Sequence, residues 1–169
     1  QISAVEFDFV VCIKFRCLHQ SAATRARRSS CYTFANVDKA IRVPAMTVLK
    51  PPFNEETARA TVQRAQDLWN ARDASVIPGE YTVDTKWRYR DAFLTGRDAI
   101  LPFLEGRWPI QQDYVLRKHL WSYVGDRVSV RFECEWRHGE TGQCYRTFGN
   151  EHWEFDADGL CSVLDLSAN

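Results

Sequence analysis

Between positions 54 and 70, Ala58, Val62, Ala65, Leu68 and Trp69 recur three or four residues apart, the spacing of one buried helical face. Asn54 stands where an N-cap belongs, and Glu55 and Glu56 fill the first turn, where acids favour the helix dipole. Asp73 is placed to cap a short second helix that Pro78 and Gly79 would end. Residues 82–90 read as a strand, followed by the turn-like Leu94, Thr95 and Gly96. A third helix is expected over 98–108, closed by Pro109.

Beyond that point the period changes from helical to two. Residues 114–123 form an expected strand, with a tight turn at Gly125 and Asp126. In 127–137, Val128, Val130, Phe132, Cys134 and Trp136 take one face, while Ser129, Arg131, Glu133 and Glu135 take the other. HGETG at 138–142 is a hairpin loop, 143–155 a long strand, DADG at 156–159 a turn, and a last strand starts at Leu160. Three helices with a strand among them, then four antiparallel strands, give an α+β fold with helices covering one sheet face.

Residues before Met46 pattern less well. The apolar stretch 5–15 contains Glu6 and Asp8, where a secretory signal would carry positive charge. SAATRARRSSCY at 21–32 is rich in Arg and Ser and has no acid. Two readings follow: an upstream extension outside the fold, or an organelle transit segment. The expected division is an extension over 1–45 and a domain over 46–169.

Composition narrows the function. The 169 residues are 45% hydrophobic and 26% charged, ordinary for a globular chain, with six tryptophans that suit a curved sheet under few helices. Net charge is zero, and residues 1–45 hold seven Lys/Arg against three Asp/Glu. Neither part has the basic face that nucleic acid requires. No apolar run approaches the ~20 residues of a membrane span, and a cytoplasmic location is expected. The six cysteines form no CxxC pair and no zinc spacing with histidine, so free buried thiols are expected. No GxGxxG, P-loop or nucleophile elbow occurs, so neither a cofactor nor a metal is expected.

Four strings carry a family likeness: PPFNEETARATVQRAQDLWNARD, WRYRDAFLTGR, RFECEWRH and FGNEHWEFDADGL. Across 46–169 the chain resembles an uncharacterised SnoaL-like family within the nuclear transport factor two-like superfamily. The resemblance implies a cone: a curved antiparallel sheet around a pocket, with about three helices covering one face. Members include ketosteroid isomerases, polyketide cyclases, dehydratases, epoxide hydrolases and non-catalytic binding proteins, so the fold alone leaves function open. It also implies a homodimer, formed through the outer face of the sheet.

Cofactor-free enzymes on this cone use a carboxylate or histidine whose apolar cavity tunes its pKa. Where a ketosteroid isomerase carries its basic aspartate, this chain reads Trp87, Arg88, Tyr89, Arg90, with Asp91 just beyond. An arginine cannot serve as the base. Arg88 and Arg90 share one face of that strand and Trp87 and Tyr89 the other. Either the arginines turn inward as an anion clamp, or the rings face the core and the arginines water.

Two further carboxylates, Glu133 and Glu135, raise the same question. The simplest hairpin register sets Glu135 opposite Tyr145 and Glu133 opposite Thr147, and one bulge would instead set Glu133 opposite Arg146. They read as an acid held by an arginine, or as an outer sheet face. In 143–155, Arg146, Phe148, Asn150 and His152 share one parity, opposite to Glu151 and Trp153. Phe148 suggests that this parity faces the cavity. His152 would then shuttle a proton and Asn150 stabilise an oxyanion. Arg146, Phe148, Trp87, Trp69 and Arg90 would bind substrate. The expected function is small-molecule binding, with cofactor-free lyase, isomerase or hydrolase chemistry as its catalytic form. The alternative is a non-catalytic homodimeric binding or interaction module, in which Trp69, Trp87, Trp108 and Trp153 fill the pocket.

Overall fold

The computed structural model describes residues 49–169, together with the backbone of Ile13–Lys14. Helix α1 (Glu55–Ala71) starts as expected: Asn54 Oδ1 accepts from the Thr57 amide at 2.9 Å, and Thr57 Oγ1 accepts from the Asn54 amide at 2.9 Å. The expected second helix is only a 3₁₀ turn, Ile77–Glu80, because Pro78 leaves no room for a longer run. The third is split into a 3₁₀ turn at Arg97–Ala99 and helix α2 (Ile100–Arg107). Two α-helices, not three, therefore flank the sheet among the described residues.

The strands are β1 (Ile13–Lys14), β2 (Tyr81–Tyr89), β3 (Ala92–Thr95), β4 (Gln111–Val124), β5 (Arg127–His138), β6 (Cys144–Phe155) and β7 (Cys161–Ala168). Six of them form a curved, unclosed sheet in the order β3-β2-β7-β6-β5-β4, and β1 pairs with β6. The hairpins from β4 to β7 are antiparallel as expected. The pairing of β2 with β7 is parallel, which corrects the wholly antiparallel expectation. The chain leaves β2 by the β3 hairpin and α2, and the hairpins from β4 to β7 bring it back beside β2 running the same way.

Helix α1 closes the free edge of β4. Asn70 accepts from the Leu116 amide at 2.8 Å and donates to its carbonyl at 2.9 Å, imitating a neighbouring strand. Gln66 accepts from the Lys118 amide at 2.8 Å. Such pairing satisfies edge groups that would otherwise invite aggregation. The core lies between α1 and the concave face, centred on Trp69, Trp87, Leu104, Val130 and Trp153. Gly149 faces Phe132 across the β5–β6 ladder, and the Phe132 ring occupies the space a Cβ would need.

The division at residue 46 falls on residues outside the described set, apart from the Ile13–Lys14 pairing with Tyr145 and Arg146. Cys134 and Cys161 are free and buried, as expected. Cys144 is disulfide-bonded, which corrects the expectation of free thiols throughout. No helix among the described residues is long and apolar enough to cross a membrane.

Candidate functional site

Strand parity decides what enters the interior. On β6 the buried positions are Thr147, Glu151, Trp153 and Phe155. On β4, Leu116 and Lys118 are buried while His119 is exposed. Lys118 pairs with Phe132, and Glu151 with Val130, so β5 lies between them and the two side chains meet across it. Lys118 Nζ donates to both Glu151 oxygens, at 2.5 and 2.6 Å. The indole N–H of Trp153 donates to Oε2 at 2.7 Å. The side chains of Lys118 and Glu151 are 3% and 5% exposed.

Aromatic rings enclose the ammonium. Its nitrogen lies 5.0 Å from the Trp153 ring centre, 5.7 Å from Phe132 and 6.0 Å from Trp69. The attraction of a cation to these faces strengthens when water is excluded. Lys118 and Glu151 border a cavity of about 60 Å³, with Trp69, Tyr81, Trp153 and Phe155 among its other walls. That volume admits only a few water-sized groups. A larger groove of about 560 Å³, with Arg59, Gln63 and His119 among its lining, opens where α1 meets β4. It lacks a convergent set of buried polar groups, so the smaller cavity is the stronger candidate.

Burial also shifts neighbouring groups. The Tyr81 phenol lies well above its ordinary 10.0 because its ionised form would lose hydration, and the nearby Cys161 and Glu151 add to the rise. Burial likewise pushes up the Cys161 thiol, with Glu151 contributing. Both groups stay neutral at physiological pH.

The expected site residues divide between the two sheet faces. Trp69 lines the cavity. Trp87 is 2% exposed and packs against Trp69 and Tyr81, so the rings of β2 face inward. Arg88 faces outward and pairs with Asp165. Arg90 ends β2, half-buried, with φ at 60°. The β6 expectation is reversed: Asn150 and His152 are exposed on the outer face, and His152 Nδ1 sits 2.9 Å from Ser129 Oγ. Phe148, 44% exposed, and Arg146 lie on that face too. Trp153 and Phe155 together bury more apolar surface than Phe148 alone, and the pleat follows the larger gain.

The β5–β6 register also differs from both sequence alternatives, setting Glu135 opposite Arg146 and Glu133 opposite Phe148. Arg146 bridges both acids, at 2.9 Å to Glu133 and 3.5 Å to Glu135. Sequence reasoning passed over Lys118 and Glu151. The available signal was parity: Glu151 alternates with Trp153 and Phe155, and Lys118 with Leu116 and Leu120.

Solved structures share this fold. A protein described as a polyketide cyclase from Xanthomonas campestris pv. campestris matches at a TM-score of 0.60 and 20% identity, covering 69% of this chain and 93% of that one. SalBIII, described as an epoxide hydrolase/cyclase-like enzyme in pyran ring formation of salinomycin, matches at 0.60 and 13% identity, with the same coverages. An NTF2-like protein of unknown function from Burkholderia pseudomallei K96243 matches at 0.59 and 15%, covering 66% and 90%. At these identities the likeness concerns the fold alone. No functionally curated protein matches the chain. One family model matches residues 51–169, and the chain accordingly belongs to that family, described as proteins of unknown function (DUF1348).

Proposed function

We propose that this chain binds a small molecule in the interior of its cone and performs cofactor-free acid–base chemistry there through Glu151 and Lys118. The observation that carries this reading is the fully buried ion pair on the wall of an aromatic cavity. Two charges taken out of water lose several kcal/mol of hydration each, and apolar side chains of similar size often serve stability equally well. A buried pair beside a cavity is therefore better explained by a ligand than by stability. Fold neighbours described as cyclase and epoxide hydrolase/cyclase-like proteins support the same class.

The geometry gives each group a role. Trp153 holds Oε2 of Glu151, leaving Oε1 to Lys118 alone. A carbon acid entering the cavity would lose a C–H proton to Oε1. The bonding electrons would pass to the adjacent carbonyl oxygen as an enolate, which the Lys118 ammonium would stabilise. Return of the proton to another carbon completes an isomerisation, and loss of a β-leaving group completes an elimination. Only the reacting end of a substrate fits the present volume.

A second reading, a non-catalytic binding or interaction module, has its own support: Trp69, Trp87, Trp108 and Trp153 are all buried in the core. In that reading the outer face, with Phe148 exposed, joins two copies, and light scattering at micromolar concentration would give the dimer mass. One experiment separates the readings. Cyclic 1,3-diketones, aryl ketones and hydroxyketones are titrated against the full chain, read by tryptophan fluorescence and by α-proton exchange in deuterated water. Saturable quenching with accelerated exchange, lost in Glu151→Gln, is the expected result. Binding without exchange supports the second reading, and no binding of any probe counts against a ligand pocket.

A further inference from the structure

Two arginines stand at the Trp108 end of the interior, neither with a carboxylate partner among the described residues. Arg72 caps α1 in the left-handed region, with φ at 59°. That conformation is strained for a side-chain-bearing residue, and helices usually give it to Gly or Asn. Its Nη2 donates to the Trp108 carbonyl at 2.6 Å and the Gln111 carbonyl at 2.8 Å. The guanidinium centre lies 4.7 Å from the Trp108 ring centre and 5.0 Å from that of Tyr114. Arg107, the last residue of α2, places its own 4.9 Å from Tyr89 and 6.0 Å from Phe103.

Three buried donors in this cluster have no acceptor among the described residues: Arg72 Nη1, Arg107 Nε and Trp108 Nε1. A buried donor left without an acceptor is costly, and native folds hold few of them. Burial pulls the Arg72 guanidinium below its ordinary value, the sign of a cation short of hydration. Tyr89 lies within electrostatic reach of both arginines. Burial raises the Tyr89 and Tyr114 phenols, so both stay protonated and able to donate.

We propose that Arg72, Arg107 and the Trp108 indole N–H recognise the carboxylate of an aromatic or conjugated acid. This rests on reading the interior as a ligand pocket, and it names the substrate class. Guanidinium groups match a carboxylate in fork geometry, are weakly hydrated, and stack on rings. The rings of Tyr89, Phe103 and Tyr114 beside the guanidinium groups suit a planar apolar neighbour rather than a strongly hydrated phosphate. Trp69 joins the two ends of the interior: its ring lies 5.8 Å from Trp108 and 6.4 Å from Tyr89, with Lys118 Nζ 6.0 Å away. A substrate held by its carboxylate at the arginines would direct its reacting carbon toward Glu151 and Lys118.

The test is calorimetric titration of the full chain with benzoate, benzamide and inorganic phosphate. Benzoate is expected to bind with a Kd on the order of 1 mM or tighter, and benzamide and phosphate about tenfold more weakly or worse. Arg107→Met should weaken benzoate at least about tenfold, and Arg107→Lys, which keeps the charge but not the fork, should fall between. Glu151→Gln should leave benzoate affinity unchanged while abolishing α-proton exchange, which separates failure of the anion site from failure of the acid–base reading. Equal affinity for benzoate and benzamide, or no effect of Arg107→Met, overturns the proposal. Phosphate binding more tightly than benzoate overturns the carboxylate assignment. Should Arg107→Met fail to melt cooperatively, Arg107→Lys decides: unchanged benzoate affinity refutes the site.

Discussion

Two of the ion pairs on strand β6 stand three residues apart and live in different solvents. Glu151 meets Lys118 on the concave face, with side chains 5% and 3% exposed. Glu154 meets Arg127 at 3.3 Å on the outer face, with side chains 44% and 65% exposed. Charge, strand and residue type are nearly the same, so the difference is dielectric. Where water is excluded, the attraction within the pair grows, and so does the penalty for leaving either member alone. At the surface, water screens the pair and hydrates whichever partner is left. Chemistry that needs a persistent, oriented charge can be built only at the first site.

Removing one inner partner is the harshest way to break the contrast. Glu151→Ala strands the Lys118 ammonium and the Trp153 indole N–H in the core, and it should lower stability by about 3–5 kcal/mol in urea denaturation. The double change Lys118→Met with Glu151→Leu removes both charges and should recover most of that loss while giving no α-proton exchange. Full recovery of both stability and exchange would show that the pair has no chemical role. Next in size is Gly149→Ala, whose added methyl meets the Phe132 ring and the Ser167 carbonyl. Overpacking of this kind costs about 1–3 kcal/mol, visible as a lower urea midpoint with an unchanged slope.

The same contrast explains what the sequence disclosed. Helix α1, its Asn54 cap and the four hairpin-linked strands follow from periodicity and turn residues, which are local properties. The alternation of β2 and β5 was legible as well, with Trp87 and Tyr89 on one parity and Val128, Val130 and Phe132 on another, but whether Arg88 and Arg90, or Glu133 and Glu135, turned inward stayed open. On β6 both parities carry an aromatic, and Phe148 pointed the wrong way. The inward position of Glu151 depends on Trp153 and Phe155 packing against other elements, a tertiary effect. Lys118 was hidden for the same reason: between Arg117 and His119 it reads as a solvated charge, and only the Leu116–Leu120 alternation marks it as inward. The parallel β2–β7 pairing and the arginine cluster at Trp108 join residues distant in sequence, which no local pattern reports.

Alkaline titration sharpens the inner side of the comparison. Tyr81 is buried, and its folded pKa lies well above the ordinary 10.0. Above pH 10 the unfolded chain releases the phenolic proton while the folded one keeps it, so stability is fully present below pH 10 and falls as pH rises beyond it. One such tyrosine contributes about 1.4 kcal/mol per pH unit over that window. Tyr81→Phe should therefore shrink the stability difference between pH 8 and pH 11 by about that amount. An identical pH dependence in Tyr81→Phe and the parent would mean that another group governs alkaline unfolding.

The smallest effect is expected outside, at the second ion pair of β6. Glu154→Gln removes a carboxylate whose partner Arg127 is mostly in water, and hydration of the released guanidinium replaces most of the lost attraction. The pair is worth at most about 1 kcal/mol, and holding two long side chains in one geometry offsets part of that. Salt supplies an independent check, because the screening length shrinks from about 10 Å at 0.1 M to about 3 Å at 1 M. The difference between parent and Glu154→Gln should vanish at high salt, while the loss caused by Glu151→Ala should persist, since a buried pair is screened far less than an exposed one. If Glu154→Gln proved as damaging as Glu151→Ala and equally indifferent to salt, the outer face would have to be covered in solution. A second copy of the chain would supply that cover, and light scattering of the same samples would then show a dimer.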